Sequence, residues 1–225
     1  MTGETHRVGG VLSALAGFSY LYSQGMLVNE VSPLLQFLII YPFAIWGSVA
    51  PDLDHHEKSI PCRDLISRGI NKLLHATTED RRQAPASQRK TAAYKIAGFF
   101  DAKHRSWQTH SVALLVVSCL VLWWLGSCKG FFGTAVTPNW IIFRLIGIGI
   151  ALGVASHMIL DAITPSGIHI LSLKLFKGVP SKLKLVPPAN FFSTGGKWEM
   201  LVRALLWAGC GVCVVYLICN FWGIL

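Results

Sequence analysis

Charge is what this 225-residue sequence has least of. Asp, Glu, Lys and Arg make up 14% of it, only 11 residues are acidic, and 52% are hydrophobic. That balance excludes an ordinary soluble domain, where about a quarter of residues are charged, and points to a polytopic membrane protein. A disulfide framework is missing as well. Of the six cysteines, Cys119, Cys128, Cys210, Cys213 and Cys219 lie in or at the edge of apolar runs, and only Cys62 stands apart. Cys210-x-x-Cys213 has no second cysteine pair or histidine beside it, so it reads as small polarisable residues at a helix contact rather than as a zinc or redox motif. A convincing internal repeat is absent. A signal peptide is not expected, since Glu4 and His6 stand where a basic leader would be.

What is present is length without charge. A helix crosses a bilayer with about 20 predominantly apolar residues, and five stretches approach that: 8–28, 31–50, 111–128, 140–160 and 200–225. The expected fold is an all-α polytopic membrane bundle of about five transmembrane helices with a cytoplasmic interfacial cap, forming a single domain over 1–225. The cap draws on the polar loop 51–110. Within it, Leu65, Ile66, Ile70, Leu73 and Leu74 recur at roughly helical spacing among basic residues, as in an amphipathic helix lying in the interface. Residues 76–90 read as a loop rich in charge, Pro and Ser, and 168–188 as a second interfacial segment.

The net charge of +9 raises nucleic acid as a partner, but its distribution argues against one. In a five-span chain every Lys and Arg except Lys129 and Arg144 falls on one face. The positive-inside rule makes that face cytoplasmic, with the N-terminus inside and the C-terminus outside. Membrane lipids are the expected partners, each basic residue near an anionic surface contributing about 1 kcal/mol.

Because successive spans alternate in direction, the same face collects the chemistry. His6 precedes the first span; Asp52, Asp54 and His55 follow the second; His104 and His110 precede the third; His157 and Asp161 end the fourth; Glu199 opens the fifth. His157 and Asp161 are one helical turn apart, so both can reach a common point. A histidine donating to an aspartate one turn away explains that pair alone, but it does not explain a one-sided cluster drawn from every span. His6, Asp52, Asp54, His55, His104, His110, His157, Asp161 and Glu199 are therefore candidate metal ligands. Imidazole and carboxylate without thiolate suit zinc, with manganese or iron as alternatives, and the donors suffice for two or three ions. Such ions activate water and clamp the oxygens of a phosphoryl displacement. Asp52 or Asp54 would bridge ions or act as base, and Arg105 would hold a phosphate oxygen unless it simply faces lipid headgroups. His75 and His169 read as surface or supporting residues, and Thr109 and Ser111 as helix caps.

The ordered motifs Thr5-His6, PDLDH at 51–55, HRSWQTHS at 104–111 and SHMILDAITPSG at 156–167, with TGGKWE at 194–199, resemble the YdjM-like membrane-bound metal-dependent hydrolases over nearly the whole chain. That family is in turn similar to zinc-dependent phospholipases C and single-strand nucleases. The resemblance implies a helical fold, a multinuclear zinc site with HxxxD and HxxxE pairs, and residence in a bacterial inner membrane. It also implies hydrolysis of a phospholipid or other phosphoester. The bulky spacer 106–108 and Ile170-Leu171-Ser172 after the turn depart from the usual pattern, on the side of the substrate pocket. The competing expectation is a non-catalytic metal-binding membrane protein or an ion transporter. Transporters place polar groups at the bilayer midplane, whereas these lie at span ends.

Overall fold

The computed structural model describes residues 2–27, 29, 31–54, 116, 138–164, 167–169, 182–183, 195–222 and 224. Among them are four α-helices: α1 (Gly3–Ser23), α2 (Pro33–Gly47), α3 (Pro138–Ala162) and α4 (Lys197–Phe221). A 3-10 turn, Ala50–Asp54, prolongs α2. A pair of two-residue antiparallel strands, β1 (Ile168–His169) and β2 (Lys182–Leu183), departs from an all-helical chain only locally, with Ile168 opposite Leu183 and His169 opposite Lys182. The expected span 111–128, apart from helical Val116, and most of both interfacial segments lie outside the described residues.

Among the described residues, three stretches are long and apolar enough to cross a membrane: Pro33–Asp52, Ile141–Ala162 and Lys197–Phe221. Their outward faces carry large apolar side chains, among them Leu38, Phe143, Ile159, Leu205, Val212 and Val215. An apolar surface of that extent suits lipid, not water. The remaining helix, α1, is the most polar of the expected spans, and its position accounts for that. It touches α2, α3 and α4, so its Gly9, Gly10, Ala14 and Ser19 are buried against protein rather than lipid. Small residues at such contacts let backbones approach where lipid offers no hydrophobic drive to association.

Local signals set the ends. Ser32 caps α2 through its hydroxyl to Leu35 N at 3.3 Å, with Pro33 at the first helical position. Gly25, at φ +61°, closes α1, with Met26 N bonded back to Leu21 O at 2.9 Å. The apolar run 8–28 places the first span five residues too late: the helix already starts at Gly3, so His6 lies inside its first turns. Hydropathy marks the lipid-facing length, whereas hydrogen bonding at the N-terminus fixes where the helix begins.

The tightest contact joins α2 and α3. Gly149, Gly153 and His157 follow one ridge of α3 at intervals of four, against Ile40, Ala44 and Ser48 on the corresponding ridge of α2. A Cβ on Gly149 would lie 2.5 Å from the Ile40 carbonyl oxygen, and one on Gly153 only 2.1 Å from that of Ala44. Gly47 meets Ile150 O at 2.6 Å by the same measure. Backbone therefore rests on backbone, and no side chain can be added without parting the helices.

Gly153→Ala should accordingly lower stability by about 1–3 kcal/mol. Gly211→Ala, whose Cβ would meet nothing within 4 Å, should leave it unchanged or slightly raised. Thermal unfolding of the detergent-purified variants checks this; equal midpoints would rule out the backbone contact.

Candidate metal centre

Three helix ends meet where α2 and α3 finish and α1 starts. The first turns of α1 carry His6. The 3-10 turn after α2 carries Asp52, because Pro51 cannot continue the α-helix and the chain tightens instead. The last turns of α3 carry His157 and Asp161. Beyond Ala162 the chain turns at once: Thr164 N and Oγ1 both donate to the Asp161 carbonyl, at 3.0 and 2.7 Å, and Gly167, at φ +61°, donates to Thr164 O at 3.0 Å. The left-handed conformation at Gly167 is one that a side chain would resist.

His6, Asp52, His157 and Asp161 are all buried, and His157 is fully inaccessible. Asp161 straddles the two imidazoles, with Oδ1 3.5 Å from His6 Nε2 and Oδ2 3.5 Å from His157 Nε2. Asp52 Oδ1 lies 3.9 Å from the same His157 nitrogen. The rings of His6 and His157 stack with centroids 3.9 Å apart. One ligand atom from each of His6, Asp52 and His157 falls within 4.8 Å of the others.

Two features make this a fit for a divalent cation. The first is spacing. Charge-assisted hydrogen bonds close to about 2.7–2.9 Å, and none of these three nitrogen–oxygen approaches does. Bonds of about 2.0–2.2 Å to a tetrahedral ion instead hold the ligand atoms about 3.3–3.6 Å apart, nearer to the observed 3.5 and 3.9 Å than a hydrogen bond is. The second is the tautomer. His157 Nδ1 lies 2.7 Å from the backbone carbonyl of Ser48, which can only accept, so the ring proton sits on Nδ1. The Nε2 of a neutral His157 then turns a lone pair toward two carboxylates. Positive charge between them resolves the conflict, and an outward N–H bonded to a carbonyl is the usual support of a metal-binding imidazole. Two carboxylates against two neutral imidazoles also balance one divalent ion, whereas two imidazolium rings stacked at 3.9 Å would repel.

Glu199 departs from its expected role. Thr2 N, Thr2 Oγ1 and Thr5 Oγ1 all donate to its Oε1, the two hydroxyls at 2.6 Å, and Gly195 N donates to Oε2 at 2.6 Å. Its carboxylate joins the N-termini of α1 and α4 instead of meeting the histidine pair. The backbone of Asp54 ends the 3-10 turn. His55, His104, Arg105 and His110 lie outside the described residues. Ser48 and the role of Thr5 escaped sequence reading: one acts through a backbone carbonyl that carries no residue signature, and the other through a hydroxyl whose partner lies 194 positions away.

The fold and the site thus define an integral membrane helical bundle whose helix ends enclose a buried His/Asp group. The family model for the YdjM inner membrane protein matches residues 1–223, and the chain belongs to that family. No curated protein matches the chain, and no solved structure does.

Asp161→Ala removes the buried carboxylate that spans His6 and His157 and leaves the positive charge it balances unpaired, and should cost about 3–5 kcal/mol of stability. Glu4→Gln, which breaks an exposed pair with Arg203, should cost less than about 1 kcal/mol. Denaturant titration in micelles compares them, and similar losses would show that the buried group is not under electrostatic tension.

Proposed function

We propose that this chain is a membrane-embedded metal-dependent hydrolase acting on phosphoester bonds of a lipid or another membrane-proximal substrate. The observation that carries the reading is the convergence of His6, Asp52, His157 and Asp161, buried together at one end of the bundle. A divalent metal bound there, zinc by its donor set or else manganese or iron, would supply Lewis acidity and a water ionised near neutral pH. His6 and His157 would present Nε2 to it, and the Ser48 carbonyl would keep His157 in the required tautomer. Asp161 would hold both rings in register. Asp52 is the most exposed of the four at 7%, so it is the group best placed to take the proton of an attacking water, with Asp54 as the alternative on the far side of Leu53. Arg105 would neutralise a phosphate oxygen, and His55, His104 and His110 would complete a second or third ion.

The helix directions support five spans and a cytoplasmic site. α2 and α3 both end at the His/Asp group, which favours a return crossing between them, and 111–128 is an apolar stretch suited to it. α1 and α4 both start at that end. The basic residues favour the cytoplasm of a bacterial cell for that end and the outside for the C-terminus. Near-total burial of His6, His157 and Asp161 favours a second reading, a non-catalytic metal-binding protein in which the ion is structural.

Elemental analysis of the purified protein should find a transition metal. With metal present, phospholipids or generic phosphodiesters should be cleaved, chelator should stop the reaction, and His157→Ala should lose at least about 100-fold in rate together with the metal. Metal retained without turnover of any ester would select the structural reading, and absence of metal would overturn both. Alkaline phosphatase fused after residue 225 should be active, and fused after Met1–Arg7 inactive; the reverse would invert the proposed orientation.

A further inference from the structure

α4 gives no side chain to the His/Asp group among the described residues, yet its first turn holds a carboxylate that is only 2% exposed. Glu199 Oε1 accepts three hydrogen bonds, from Thr2 N, Thr2 Oγ1 and Thr5 Oγ1. A carboxylate oxygen has about two lone-pair sites, so this one has nothing left for an ion. Oε2 is held by Gly195 N, which the left-handed turn at φ +79° aims back at it. The carboxylate therefore sits at the positive ends of two helices at once. The start of α1 has no cap of its own, since the Thr2 side chain bonds no backbone group of its helix. What fixes it comes from α4: Glu199, and Arg203, which pairs with Glu4 and reaches Thr2 Oγ1 at 3.4 Å. The turn so fixed carries His6, the residue after Thr5.

We propose that Glu199 is a positioning residue: it pins the first turn of α1 to α4 and so holds the His6 imidazole at the metal centre. The metal consequence rests on the reading given under Proposed function; the pinning itself does not. α4 thereby bears on the centre without contributing a ligand, and the affinity of the centre depends on how firmly α4 is docked.

The test uses full-length protein in detergent, stripped with chelator and titrated with cobalt(II). Glu199→Gln and Thr5→Val should bind as many equivalents as the unmodified protein, roughly 10–100-fold more weakly, with a shifted visible absorption spectrum. Thr5→Ser, which restores the hydroxyl, should return both affinity and spectrum. Loss of a whole equivalent in Glu199→Gln with no effect of Thr5→Val would make Glu199 a ligand and overturn the proposal. So would identical affinities and spectra in all variants. A second measurement needs no metal: in the stripped protein, acylation of His6 by diethyl pyrocarbonate, followed by mass spectrometry, should be slow in the unmodified chain and in Thr5→Ser, and at least several-fold faster in Thr5→Val. Equal rates would overturn the pinning. A chain that binds no cobalt but shows the difference in acylation would keep the pinning and remove the metal reading.

Discussion

The structure depends on the contact between the backbones of α2 and α3. Gly149 and Gly153 bring α3 so near that the carbonyls of Ile40 and Ala44 lie where a Cβ would be. One step further along the same ridge, the approach delivers His157 to the carbonyl of Ser48 at 2.7 Å. In lipid every backbone polar group needs an internal partner. Ser48 stands where α2 runs out of helical donors for its last carbonyls, and the imidazole of the neighbouring helix supplies one. One interaction therefore satisfies a helix terminus, fixes a tautomer and orients Nε2. The glycine ridge and the histidine work as one device, because a wider separation of the helices would break the hydrogen bond first.

The second constraint is electrostatic. Two carboxylates and two imidazoles excluded from water are costly unless their charges are matched. The bundle does not match them by drawing the rings onto the carboxylates, since the nitrogen–oxygen distances stay at 3.5–3.9 Å. It holds them apart around a common point. That rigidity comes from three directions: the α2–α3 contact behind His157, the turn at 164–167 behind Asp161, and the α4 carboxylate that anchors the helix bearing His6.

Much of this was legible in the sequence, for reasons particular residues make plain. His157 and Asp161 share a helix face by spacing alone, and alternation of spans places His6 and Asp52 at the same end. Both inferences need only periodicity and a count of crossings. Glu199 was legible as a carboxylate at that end but not in its role, because ligand and clip use the same functional group. What separates them is the adjacency of α1 and α4, set by packing between segments almost 200 residues apart. The start of α1 was misplaced for the same reason. Hydropathy falls where a helix leaves the apolar layer, whereas α1 continues to Gly3 on hydrogen bonds supplied by another helix. Ser48 was illegible in principle, since any residue there would offer the same carbonyl.

The polarity of α1 ties these constraints together. A helix facing lipid needs apolar side chains all round, and α4, exposed along most of its length, has them. α1 instead lies against three helices and carries glycine, alanine and serine, which permit close approach but give little affinity for the bilayer. It is also the helix that delivers His6. A central helix short of hydrophobic anchorage must be held by its neighbours, through the small-residue contacts along its length and the hydrogen bonds at its start. The low hydropathy that made this span the least evident in the sequence is thus the mark of its place beside the buried His/Asp group. The same property explains why a polar clip, rather than apolar packing alone, secures the end that carries His6.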